Sequence, residues 1–119
     1  MRKFELGFGY LGNGCTVWNR ARKVNGDYEW VAHISDAGNI HWYVKPGDIP
    51  GDALLRIEHQ AHAMESNFMN QFNSLPETKQ YEFLLDRAKH ADLMKVCDMK
   101  DATMWEKICF LRSVVIPTL

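Results

Sequence analysis

Apolar and polar positions alternate through the first third of the chain and then change period. Phe4, Leu6, Phe8 and Tyr10 alternate with Glu5, Gly7 and Gly9. A period of two predicts a strand with one aromatic face and one nearly bare face. The turn signal GNG (Gly12 to Gly14) follows. CTVWNRAR then places Thr16, Trp18 and Arg20 on one side of a second strand, with Cys15, Val17 and Asn19 on the other. VNGD (Val24 to Asp27) contains Asn-Gly, a hairpin signal because both residues tolerate positive φ. YEWVAHIS predicts a third strand with Tyr28, Trp30, Ala32 and Ile34 on one face. DAGN turns again, and IHWYV is the fourth strand. In this phasing Trp30 and Trp42 fall with Ala32, Ile34, Ile40 and Val44, and are assigned to the core.

KPGDIPGD (Lys45 to Asp52) breaks the alternation with two prolines and two glycines, and the period becomes helical. Leu54, Ile57, Ala61, Met64, Phe68 and Phe72 form one stripe at three- and four-residue spacing. Asp52 is a candidate N-cap for this helix. Ser74 and Glu77 have the spacing of a capping box for a second helix. That helix carries Tyr81, Leu84, Leu85 and Ala88 and is drawn as continuing toward Leu93 or Val96. Asp101 is a candidate cap for a last helix, with Met104, Trp105, Ile108, Cys109 and Val115 on its buried side. Strands followed by helices predict an α+β fold: an antiparallel meander of about four strands, then about three helices packed on one sheet face. We expect a single domain, 1–119, with the meander in 1–45 and the helical part in 52–116.

Composition narrows the function classes. The 119 residues are 46% hydrophobic and 24% charged, enough for a core that needs no staples. A net charge of −1 gives no basic excess to favour nucleic acid or an anionic membrane. Cys15, Cys97 and Cys109 form no disulfide framework and no Cys-x-x-Cys unit, which fits a reducing cytoplasm. No stretch approaches the roughly 18 apolar residues that a membrane helix needs.

The chemistry-bearing candidates are few. Gly7, Gly9 and Gly12 spell Gly-x-Gly-x-x-Gly, with Asp27 or Glu29 near the distance of a ribose-binding acid. That fingerprint requires a helix after the loop, and CTVWN reads as a strand closed by a hairpin turn. The glycines are therefore read as shaping the sheet. His59 and His62 share a helix face but lack a third ligand at a recognised spacing, so no metal and no cofactor is expected. Cys15 and His33 could meet across the sheet. Whether His33 and His41 share a face depends on strand register. Glu58 with Glu65, and Asp98 with Asp101, read as ordinary helix-surface and capping carboxylates, so no catalytic residue is assigned. Basic residues cluster at RARK (Arg20 to Lys23), with Arg2 and Lys3 close by if the first two strands pair. Trp18 lies on a mixed, polar side of its strand, and Tyr43 lies opposite Trp42. Exposed aromatics beside arginine are typical anchors for a protein partner. The partner-binding residues expected are thus Trp18, Arg20, Arg22, Lys23 and Tyr43.

One stretch resembles a known module. LGNG and TVWNR (Leu11 to Arg20), GDY (Gly26 to Tyr28), AHI (Ala32 to Ile34) and IPGDALLRI (Ile49 to Ile57) are similar to a small module in proteins of phages and integrative mobile elements of gut bacteria. The likeness covers about residues 4–58 and carries no catalytic residues. It implies an accessory role: binding a host or element protein, including inhibition of a defence system such as a CRISPR-Cas nuclease complex. Homo-oligomerisation is compatible with this. Two other readings stay open. One is a small-ligand or nucleotide-sequestering protein, with Arg20 or His59 and His62 turned into a pocket. The other, less favoured, is a nucleic-acid-binding module using the basic hairpin tip.

Overall fold

The computed structural model describes residues 3–10 and 13–119. Arg2, Leu11 and Gly12 lie outside the described residues, and with them part of the LGNG piece and the third glycine of the apparent fingerprint. Four strands form one antiparallel sheet in the order β1-β2-β3-β4, with β1 Leu6–Gly9, β2 Cys15–Val24, β3 Asp27–Ile34 and β4 Ile40–Trp42. Four α-helices follow: α1 Gly51–Asn73, α2 Glu77–Arg87, α3 His90–Asp98 and α4 Met104–Val115. Short 3-10 turns stand at Pro46–Asp48 and Ile116–Thr118. The chain divides into two compact units, residues 1–68 and 69–119, with the boundary inside α1.

In the first unit the predicted meander forms as the alternation requires. The β2–β3 hairpin turns at Asn25 and Gly26, with φ of 53° and 89°, the two positive values that a two-residue turn needs. One face of the sheet is closed by α1. Cys15, Val17, Val31, Ala32 and Ile34 share a buried cluster with Ile49, Ala53, Ile57 and Ala61. Phe4, Leu6, Phe8, Ile40, Trp42 and Val44 pack against it. The β3–β4 turn is drawn tight against α1 at Gly38, where a Cβ would stand 2.6 Å from the Ala61 carbonyl oxygen and from Glu65 Cβ. Only glycine allows that approach.

Two irregularities interrupt the ladder. Val17 faces Ala32, but Trp18 faces Trp30, leaving Val31 as an extra residue in β3. The Val31 carbonyl accepts from the amides of Tyr43 (2.9 Å) and Val44 (3.3 Å), which pins the end of β4 to the bulge. Farther along, Asn19 faces Glu29 and Lys23 faces Tyr28, so Arg20, Ala21 and Arg22 have no cross-strand residue in β3. The fully buried Asn19 side chain holds this excursion with four hydrogen bonds. Its Oδ1 accepts from the amides of Glu5 and Ala21, each at 3.0 Å. Its Nδ2 donates to the Lys3 carbonyl (3.1 Å) and to Glu29 Oε1 (3.3 Å). Each of its amide's hydrogen-bonding positions is used, which is what a buried amide requires.

The second unit departs from the sequence expectation at several points. There are four helices rather than three, because Ala88 and Lys89 are extended (ψ of 148° and 155°) and separate α2 from α3. Neither residue is a helix breaker; the Arg87 guanidinium turns back to the Phe83 carbonyl (3.2 Å) and ring (3.7 Å) where α2 ends. Ser74 does not cap α2: its hydroxyl donates to the Asn70 carbonyl of α1 at 2.7 Å, and Pro76 occupies the cap position. The capping box stands at α4, where Thr103 Oγ1 accepts from the Glu106 amide and Glu106 Oε1 accepts from the Thr103 amide. Thr103, not Asp101, is that cap, and Asp52 lies within the first turn of α1 rather than before it. Ile108, Leu111 and Val115 are the buried residues of α4, whereas Met104, Trp105 and Cys109 are exposed. α2 and α3 both pack against α4, and Phe72 stacks edge-on to Phe83 at 5.7 Å.

Candidate interaction face

The Val31 bulge decides what the sheet shows on the face opposite α1. Without the extra residue, Trp30 would follow Ala32 and Ile34 into the core, as the simple alternation predicts. With it, Val31 and Ala32 are both buried at 0% exposure and Trp30 is turned to the opposite face, 48% exposed. Trp30 is therefore not a core residue. It sits directly across from Trp18, and its ring meets Tyr43 edge-to-face at 5.5 Å and 72°. Tyr43, 49% exposed, meets His41 in the same way at 4.9 Å and 73°. Trp42 packs against the core on the other side, as expected.

Gly7 and Gly9 complete this face. Gly7 is the cross-strand partner of Trp18, and Gly9 that of Thr16. A Cβ on Gly9 would stand 2.5 Å from Cη2 and Cζ3 of the Trp18 indole. One on Gly7 would stand 2.6 Å from Arg20 Nε. The glycines are thus spaces filled by the indole edge and the guanidinium of the neighbouring strand, and they let both side chains lie across β1. In the described part of the fingerprint Gly7 and Gly9 lie within β1, and among the described residues the next element is another strand, β2, rather than a phosphate-binding helix.

Along the strands the face reads in rows. Thr16, His33 and His41 form the first, through the Thr16–His33 and His33–His41 pairs. Trp18, Trp30 and Tyr43 form the second. Arg20 lies over Gly7 beside them, and Lys23 and Tyr28 face each other toward the hairpin tip, with the Lys23 ammonium 5.7 Å from the Tyr28 ring centre. These rows contain no Asp or Glu, in a chain with 15 acidic and 14 basic residues. The carboxylate of Glu5, whose carbonyl accepts from the Arg20 amide, is paired with Lys3 at 3.0 Å. Of the expected partner-binding residues, Trp18, Arg20, Lys23 and Tyr43 share this face. Arg22 is turned instead to Glu29 (3.3 Å), whose carboxylate also receives Asn19.

Two histidines share the face, and His33 is held at both ring nitrogens. Nε2 lies 2.8 Å from the Asn13 carbonyl, which only accepts, so Nε2 carries the proton. Nδ1 lies 3.0 Å from the Thr16 hydroxyl. Hydroxyl, imidazole and orienting carbonyl are the parts of a nucleophilic relay. Thr16, however, is buried, with 3% of its surface exposed. Cys15 does not meet His33: it faces Ile34 and points into the core, where burial raises its thiol above the ordinary range. His59, His62 and Arg20, the residues expected to face a ligand pocket, are exposed. Among the described residues no group of three or more His, Cys, Asp and Glu is arranged to hold a metal ion. Among them, too, no helix is long and apolar enough to cross a membrane.

Sequence reasoning could not place Trp30 here, because Trp-Val-Ala reads as core in either phase. Comparison with known protein families, with curated proteins and with solved structures gives no match to this chain.

Proposed function

We propose that the protein acts by non-catalytic binding, and that its docking surface for another protein is the open face of the sheet. The observation that carries this is the row of Trp18, Trp30 and Tyr43, supplied by β2, by β3 and by the residue that follows β4. Trp30 and Tyr43 are exposed and Trp18 is half-buried, on a sheet whose other face holds the buried cluster. Trp, Tyr and Arg are the residues on which interfaces concentrate their energy, and here they adjoin one another. The burial of Thr16 supports a binding role over catalysis at the one hydroxyl that His33 contacts.

The resemblance of residues 4–58 to a module of phages and mobile elements supports a host or element protein as the partner, a defence nuclease complex such as CRISPR-Cas among them. The test is affinity capture from the native host with the wild type and with a Trp30→Ala/Tyr43→Ala variant, each checked for native circular dichroism. A partner retained by the wild type and lost by the variant is the expected result. Identical recoveries would remove the open face from the binding role.

A further inference from the structure

The open face also indicates what kind of partner it fits. Resting on the docking role above, we infer that the partner contributes an acidic segment in which a large apolar side chain lies beside a carboxylate.

Three observations point to this. First, the face is divided along the strands. The ring row of Trp18, Trp30 and Tyr43 is apolar, the Arg20 guanidinium lies beside it over Gly7, and Lys23 stands beyond it toward the hairpin tip. Second, the rows themselves hold no carboxylate, and Glu5, which alternates onto the same side of β1 as Gly7, is neutralised by Lys3 at 3.0 Å, so an acidic partner would meet the opposite charge of Arg20 and Lys23. Third, the rings interlock at 72° and 73°. Rings set nearly at right angles give a corrugated surface of ridges and notches. Side chains fit such a surface, whereas successive nucleobases need parallel plates on which to stack. Two cations on a chain of net charge −1 are also too few to track a phosphate backbone.

The spacing is set by the strand. Trp30 and Tyr28 are two residues apart, about 7 Å at roughly 3.3 Å per residue. An extended segment with its apolar residue on the rings therefore brings a carboxylate to Lys23 or Arg20 two positions away. A helix reaches the same distance with a spacing of four.

The experiment is selection from a displayed library of random dodecapeptides on the immobilised full chain, followed by solution titration of the winners. Binding is read from the emission of the protein's own tryptophans, and oligodeoxythymidylate serves as competitor. Expected are peptides that pair Phe, Leu or Trp with Asp or Glu at a spacing of two or four. Their affinity should fall about tenfold or more with Trp30→Ala. Their charge preference should invert in an Arg20→Glu/Lys23→Glu variant that retains the native circular dichroism. Winners of no particular charge that still depend on Trp30 would overturn the acidic partner and leave the docking role standing. Displacement of every winner by oligodeoxythymidylate at lower concentration, or no enrichment at all, would overturn both.

Discussion

The two faces of the β-sheet are made by the same strands and differ in almost every physical respect. On the α1 side, Cys15, Val17, Val31, Ala32 and Ile34 are completely buried. On the other, Trp30, Tyr43 and Tyr28 are each exposed by more than two fifths. Simple alternation divides a strand into two faces but does not decide which residue goes to which. Here one extra residue at Val31 moves the largest side chain of β3 from the packed face to the open one. Two glycines in β1 make room for Trp18 and Arg20 beside it. The packed face stabilises the fold; the open face holds aromatic surface in contact with water, at a free-energy cost of about 25 cal/mol per Å². Surface of that kind serves when something else covers it.

The contrast can be broken from the packed side with the largest effect. Ile57→Ala removes a fully buried side chain from the contact of α1 with the sheet, and should lower the unfolding free energy by about 2–5 kcal/mol in urea titration. Asn19→Asp comes next. The new carboxylate cannot donate to the Lys3 carbonyl and meets Glu29 as a like charge, so a loss of about 1–3 kcal/mol is expected. A smaller loss in Asn19→Asp than in an exposed control such as Asn67→Asp would show that the excursion at Arg20–Arg22 does not depend on this amide. Gly9→Val sharpens the comparison within the open face. Its Cβ takes the place of the Trp18 indole edge, at about 1–3 kcal/mol, and tryptophan emission should change as the ring moves.

Trp30→Ala should cost only about 1 kcal/mol, mostly its edge-to-face contact with Tyr43, because half the side chain already meets water. The smallest effect is that of pH on Cys15. Its thiol is held above the ordinary value of 9.0, so the folded state keeps the proton where the unfolded state releases it. That contribution is complete below about pH 9 and is lost as pH rises further. The melting temperature should fall more steeply above that point in the wild type than in Cys15→Ala. Thiol labelling of the native protein should modify exposed Cys97 and Cys109 and spare Cys15.

Much of this was readable from sequence where one signal acted alone. The Asn25-Gly26 turn, the alternation of β2 with Cys15, Val17 and Asn19 inward, and the Ile57–Ala61–Phe72 stripe of α1 all appear as their patterns predict. Where two signals compete, sequence does not decide. Trp-Val-Ala in β3 is apolar in either phase, so nothing local marks the bulge. Ser74 has the spacing of a cap, but the Asn70 carbonyl takes its hydroxyl. The break between α2 and α3 falls at Ala88 and Lys89, residues that propensity alone would leave helical. The open face was half legible: Trp18 and Tyr43 followed from their polar neighbours, and Trp30 was hidden by its apolar ones.

The side of the sheet on which Trp30 lies is the point on which everything else depends. It can be measured in a Trp18→Phe/Trp42→Phe/Trp105→Phe variant, whose emission comes from Trp30 alone. If the bulge at Val31 turns this ring to solvent, the native protein should emit at long wavelength and be quenched strongly by acrylamide, changing little on unfolding. Blue-shifted emission that acrylamide reaches only after denaturation would place Trp30 in the core and contradict the open aromatic face.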